Sequence, residues 1–171
     1  VKTDTERYED RYERYAKQLR RAGVVLLENE SVLLPETGIR IFGVEIDMDY
    51  YKKLRKSVMK VSYLNSLLGR PCADEYNILL AHNPDYFQAY AGWGADLVLS
   101  GHVHGGIMRL PVLGGVLSPA LRLFPRYDGG LYEEGKSKMV LGRGLGTPTL
   151  PIRVFNPGEL IVVRLEPERG N

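Results

Sequence analysis

A chain of 171 residues, 44% apolar and 26% charged, is long enough to bury a core and is expected to form one domain over 1–171. Its formal charge of +2 is too small to argue for a nucleic-acid partner, and the single cysteine, Cys72, excludes both a disulfide framework and a cysteine-rich zinc module. No apolar run approaches the ~20 residues of a membrane span, and the sequence opens at Val1 straight into a helical pattern, so any anchor or targeting signal is expected upstream and both a cytoplasmic and a membrane-associated location stay open.

Residues 5–22 read as an amphipathic helix, with Tyr8, Tyr12, Tyr15 and Leu19 on one face, Thr5 as N-cap and Gly23 as the stop. Charges of both signs from Glu6 to Arg21 give it a solvated side. Val24-Val25-Leu26-Leu27 reads as a short buried strand, and residues 39–46 as a second one after the turn residues from Pro35 to Gly38. A longer helix is expected over 49–68, with Tyr51, Leu54, Val58, Val61, Leu64 and Leu68 on one stripe and Gly69 and Pro71 ending it. Arg70-Pro71-Cys72-Ala73 follows as a loop carrying an inert thiol. Ile78-Leu79-Leu80-Ala81 reads as a strand leading into His82, and a short helix then runs to Trp93. Asn83 suits its N-cap, Pro84 its first position and Asp85 the positive end of its dipole. Asp96 to Ser100 is another strand, leading into Gly101-His102-Val103-His104-Gly105-Gly106. Residues 107–136, rich in Gly, Pro and aromatic residues without a period, read as a long ordered loop. Met139-Val140-Leu141 and Leu160 to Leu165 close the chain as strands. Strands alternating with helices indicate an α/β layered domain.

All three histidines of the chain fall at or just past the end of an apolar strand. Ligands and cofactors gather at strand carboxyl ends in α/β sheets, and neutral imidazole is a ready ligand for zinc, iron or manganese. An i, i+2 spacing in an extended segment would set His102 and His104 on the same side, and the glycines at 101, 105 and 106 would leave room for an ion. On chemistry alone, His82, His102 and His104 are therefore candidate metal ligands. Gly142-Arg143-Gly144-Leu145-Gly146 lacks the spacing and the strand-to-helix setting of a nucleotide loop. Arg109 could meet a substrate phosphate, although a surface salt bridge is its plainer role.

Leu80-Ala81-His82-Asn83-Pro84-Asp85 followed by Leu99-Ser100-Gly101-His102-Val103-His104-Gly105-Gly106 resembles the last two metal motifs of the calcineurin-like metallophosphoesterases. The likeness continues through Arg109-Leu110-Pro111, Tyr127 to Tyr132, Arg143 to Thr147 and Pro151-Ile152-Arg153, and covers most of 20–166. It resembles a bacterial branch whose relatives are often membrane-associated phosphodiesterases, some of them related to UDP-2,3-diacylglucosamine pyrophosphatases. The resemblance implies a four-layer α/β/β/α sandwich. It also implies two divalent metal ions (manganese, zinc or iron) that clamp a phosphate and activate a hydroxide. His82 and His102 would hold one ion and His104 the other. The substrate would be a phosphate ester or pyrophosphate, lipid-linked or resembling UDP-diacylglucosamine.

The family's remaining ligands come from an Asp-x-His, a bridging Asp and an Asn-His pair, none of which this sequence contains; Asp47 and Asp49 match neither acidic role. The chain therefore reads as the C-terminal portion of the fold, without its N-terminal strands and helices. Three imidazoles carry no negative charge to offset two divalent cations, so the isolated chain is expected to be catalytically inactive. It is also expected to self-associate through exposed sheet edges. The competing reading is a non-catalytic metal- or partner-binding module on the same scaffold. A metallo-β-lactamase-type site is disfavoured because Gly105-Gly106 stands where that type needs an Asp-His.

Overall fold

The computed structural model describes residues 4–52, 57–110, 114–117, 123–146 and 152–167. Its strands are β1 (Glu30–Leu34), β2 (Ile39–Val44), β3 (Tyr76–Ala81), β4 (Leu97–Ser100), β5 (Met108–Leu110), β6 (Gly114–Leu117), β7 (Gly130–Glu134) and β8 (Ser137–Leu141). Its α-helices are α1 (Asp4–Arg21), α2 (Val61–Leu68) and α3 (Phe87–Trp93). Six strands form one mixed sheet in the order β1-β2-β3-β4-β8-β7, and β5 and β6 pair as a separate hairpin. The four middle strands run parallel, while β1 and β7 join antiparallel at the two edges. This is the mixed α/β sheet with helices that the alternation of strand and helix patterns indicates.

The core lies between the sheet and the α2–α3 layer. Phe42, Leu79, Val98 and Met139 come from four neighbouring strands, and Leu64 and Tyr90 descend from the helices. The strand residues are in register across the ladder, so alternate positions along each strand share this buried face. Trp93 ends α3 with its ring edge-on to Phe42 at 4.9 Å, and its indole N–H donates to the Gly69 carbonyl at 2.8 Å. Gly94 then takes a left-handed conformation, φ 115°, to stop the helix.

Several expectations need correction. α1 forms as expected, but Tyr8, Tyr12 and Tyr15 are exposed, whereas Ala16 is buried. The helix is held by polar contacts: the Tyr12 hydroxyl donates to the Glu28 carboxylate, and Arg20 pairs with the same carboxylate at 2.7 Å. Residues 24–27 are not a strand, because β2 already has β1 on one edge and β3 on the other. Leu27 lies against β2, where a Cβ on Gly43 would collide with its backbone oxygen. The helix expected over 49–68 is two pieces: a 3-10 turn at Met48–Tyr51 and α2. Tyr50 and Tyr63 lie ring to ring at 4.9 Å, and the Asp47 N–H donates to the Tyr63 hydroxyl at 2.9 Å. Thirteen residues of continuous helix would hold those two tyrosines roughly 20 Å apart, so packing has overridden the local periodicity.

The span 107–136 is not one loop, since it contains β5, β6 and β7. Glycines and short strands hid the pattern. Residues 160–165 are not a strand: Ile161 reaches Gly142 just past β8, but β8 is already paired on both sides, and Leu160 and Val162 are 82% and 88% exposed. Expectations for Leu54, Pro111, Thr147, Pro151 and the Thr5 side chain lie outside the described residues. Among the described residues no helix is long and apolar enough to cross a membrane.

Candidate metal centre

β3 and β4 are neighbours in the parallel ladder, with Leu80 opposite Leu99. Their carboxyl ends therefore lie side by side, and His82 and His102 follow directly. The two imidazoles approach to 5.1 Å between ring centroids, at an interplanar angle of 75°. The backbone below them is tied: the Gly101 N–H donates to the His82 carbonyl at 3.2 Å, the Ser100 hydroxyl donates to the same oxygen at 3.1 Å, and the Gly142 N–H donates to the Ser100 carbonyl at 3.0 Å. Three parallel strands thus end in one fixed platform beneath the rings.

His102 and His104 are not in an extended segment. Both take left-handed angles, φ 70° and 51°, followed by Gly105 and Gly106 at 73° and 86°. Tight turns impose this, with the Val103 N–H donating back to the Gly101 carbonyl at 2.8 Å and the Gly106 N–H to the Val103 carbonyl at 2.9 Å. Left-handed geometry costs a residue with a Cβ roughly 1–2 kcal/mol, so the turn carries strain at both histidines. The same-side expectation from the i, i+2 spacing therefore does not apply, and His102 pairs instead with His82 from the next strand.

A Cβ at Gly101 would meet the His82 ring at an ordinary 3.6 Å. At Gly105 a Cβ would come within 2.7 Å of both the Arg143 side chain and the Asn156 Oδ1, so this glycine admits those neighbouring side chains.

Burial, and secondarily the charge of His104, push the His82 imidazole below its ordinary range. Burial and then Arg153 do the same to His104. Both rings are thus biased to the neutral form that a metal ligand needs. The nitrogen donors fit a divalent-metal site only in part. Among the described residues no group of three or more His, Cys, Asp or Glu side chains is placed to hold an ion. Asp47 instead caps the 3-10 turn, and Asp49 pairs with Lys52 at 2.6 Å.

Arg109 forms a salt bridge with Asp128 at 3.1 Å, but the pair is largely buried, and the arginine also donates to the Asp128 and Gly105 carbonyls at 2.8 and 3.3 Å. Its Nη1 is thus engaged in holding the turn that follows His104. Asn83 caps the turn at Pro84–Tyr86 by accepting from the Asp85 N–H at 3.0 Å, and its own amide donates to the Tyr50 carbonyl at 3.2 Å. Cys72 is exposed, and its carbonyl accepts from Asn77.

Two features escaped sequence reasoning. Tyr51, assigned to a core stripe, lies 5.2 Å from the His102 ring. A segment from Arg153 to Glu159 straps the loops of the site together. The Arg153 guanidinium donates to the carbonyls of Arg143, Gly144 and Gly146; Arg143 pairs with Glu159 at 2.8 Å; and the Val154 N–H donates to the Ile107 carbonyl at 2.9 Å. The Asn156-Pro157 dipeptide signals a turn there, but nothing in it signals what the turn touches.

The chain is 35% identical over 91 residues to an uncharacterised metallophosphoesterase, YkuE, of Bacillus subtilis, covering 53% of this chain and 31% of that protein. It is 32% identical over 154 residues to an uncharacterised metallophosphoesterase of Aquifex aeolicus, covering 90% and 54%. It is 30% identical over 151 residues to the UDP-2,3-diacylglucosamine pyrophosphatase LpxG of Chlamydia muridarum, covering 81% and 40%. The chain thus spans between about a third and about half of these relatives. No protein-family model and no solved structure matches it. Several relatives named metallophosphoesterase or pyrophosphatase, at modest identity, support the calcineurin-like metallophosphoesterase family for this chain.

Proposed function

We propose that these 171 residues form one domain that supplies His82, His102 and His104 as nitrogen ligands to the divalent-metal site of a phosphoesterase. The observation that carries this reading is the His82–His102 pair, two rings at the ends of adjacent parallel strands, one of them biased to neutrality by burial. His82 and His102 would share one ion, and His104 would serve a second. When bound, such ions supply charge neutralisation at phosphate and an activated hydroxide. The chain's own contribution is rigid placement of the rings on the strand platform. The substrate class is a phosphodiester or pyrophosphate; the name of the chlamydial relative points to lipid-linked pyrophosphates. Self-association through the open edges of β1 and β7 belongs to the same proposal.

The chain alone, lacking Asp-x-His and Asn-His motifs, is expected to bind Mn²⁺ or Zn²⁺ weakly and to leave bis-p-nitrophenyl phosphate intact. Equilibrium dialysis of the chain and of His102→Ala should show metal retained by the first and lost by the second. Equal retention would remove the histidines from the site. Rapid metal-dependent hydrolysis by the chain, abolished in His102→Ala, would show that the missing motifs are dispensable. A metal-binding chain that stays inactive even when joined to a segment bearing those motifs would favour the non-catalytic binding module.

A further inference from the structure

Asn156 is 2% exposed, and its side-chain Nδ2 donates to two backbone carbonyls at 2.7 Å each, those of His104 and Gly106. Both partners are acceptors only, so only the amide NH₂ can serve them. That fixes the orientation of the group and leaves Oδ1 buried without a hydrogen-bond partner. The two carbonyls flank Gly105, the residue at which a Cβ would collide with Asn156. The asparagine therefore sits inside the turn and closes it. It is carried there by the 153–159 strap, which is anchored independently through Arg153, Val154 and Glu159.

We infer that Asn156 is a positioning residue of the proposed metal site, holding His104 in its left-handed turn. The inference rests on the reading of His104 as a ligand. It concerns only how that ligand is set. Outer partners that fix a ligand typically contribute 10–100-fold to metal affinity.

The fold contains its own control. Asn77 is 3% exposed, its Nδ2 donates to the carbonyls of Cys72 and Glu75 at 2.9 Å each, and its Oδ1 is likewise without a partner. It lies at the start of β3, five residues of strand away from His82. Replacing either asparagine removes the same kind of interaction from a buried place, but only one of them touches the turn.

The experiment is NMR of the full 171-residue chain, uniformly labelled, first without metal and then titrated with Mn²⁺ alone. In Asn156→Ala, and in the isosteric Asn156→Asp, the backbone signals of His104 and Gly106 should leave their left-handed positions before metal is added. The Mn²⁺ needed to broaden the His104 ring should rise about 10-fold or more, while His82 and His102 respond as before. Asn77→Ala should lower the melting temperature comparably and leave all three rings unchanged. Unchanged His104 signals in a folded Asn156 variant, or an equal disturbance from Asn77→Ala, would overturn the inference. In the unaltered chain the Asn156 Nδ2 protons should exchange slowly with solvent, and fast exchange would overturn it without any variant. Failure of Mn²⁺ to broaden any of the three rings would overturn the metal reading itself, and with it the site role of Asn156.

Discussion

The three neighbouring parallel strands β3, β4 and β8 have two ends built on opposite plans. At their starts the turns are closed by hydrogen bonds: the Asp96 carboxylate accepts from the Asn77 N–H at 2.7 Å, the Asp96 N–H returns to the Asn77 carbonyl at 2.8 Å, the Lys138 N–H reaches the Asp96 carbonyl at 2.9 Å, and the Ser137 hydroxyl closes on the Ala95 carbonyl. At their finishes the chain departs into turns that carry imidazoles, and two of the three histidines are held at left-handed angles. One end satisfies backbone polarity and serves stability. The other stores strain and presents lone pairs. The same ladder supports both, and the difference teaches which residues should cost stability when changed and which should cost binding.

The largest effect is expected at the closed end. Asp96→Ala strips the Asn77 N–H of its partner and should lower the unfolding free energy by about 1–3 kcal/mol, read by urea denaturation, with no change in metal retention. A metal-binding defect in that variant would show that the two ends are not separable. A smaller effect of opposite sign is expected at the open end. His104→Gly relieves roughly 1–2 kcal/mol of left-handed strain, against roughly 0.5–1 kcal/mol of added chain entropy, so the net is a gain of about 0.5–1 kcal/mol in stability. A loss of stability would mean that the His104 ring packs more than it strains. The smallest effect is pH dependence. Burial lowers the His82 and His104 imidazoles below their ordinary value of 6.5, so between that value and their folded values the unfolded chain binds more protons. Stability should therefore fall as pH drops below about 6.5, and a His82→Gln variant should show a shallower fall in the same window. An unchanged slope would place the His82 ring in water.

Legibility in the sequence followed locality. The strand at 78–81, the Asn83 cap with Pro84 behind it, the helix to Trp93 and the strand before Ser100 all rest on side chains interacting within a few residues, and all formed. The long helix over 49–68 failed because Tyr50 meets Tyr63 through space. The terminal stretch from Leu160 has the composition of a strand and, among the described residues, no partner strand beside it. At the site, the histidines could be named from residue type and position after strands. The geometry of His104 could not, because the turn is held by Asn156, 52 residues away.

By itself, the sequence determined which atoms are available for chemistry: three imidazoles at strand ends, one thiol, no Asp-x-His and no Asn-His. These are matters of composition and local pattern, and they are enough to recognise the family. Only the tertiary structure decided which imidazoles meet, because the approach of His82 to His102 depends on β3 and β4 being neighbours in a parallel ladder. Only it decided that the turn through His104 is left-handed and clasped from outside, because hydrogen bonds between distant segments leave no period in the chain.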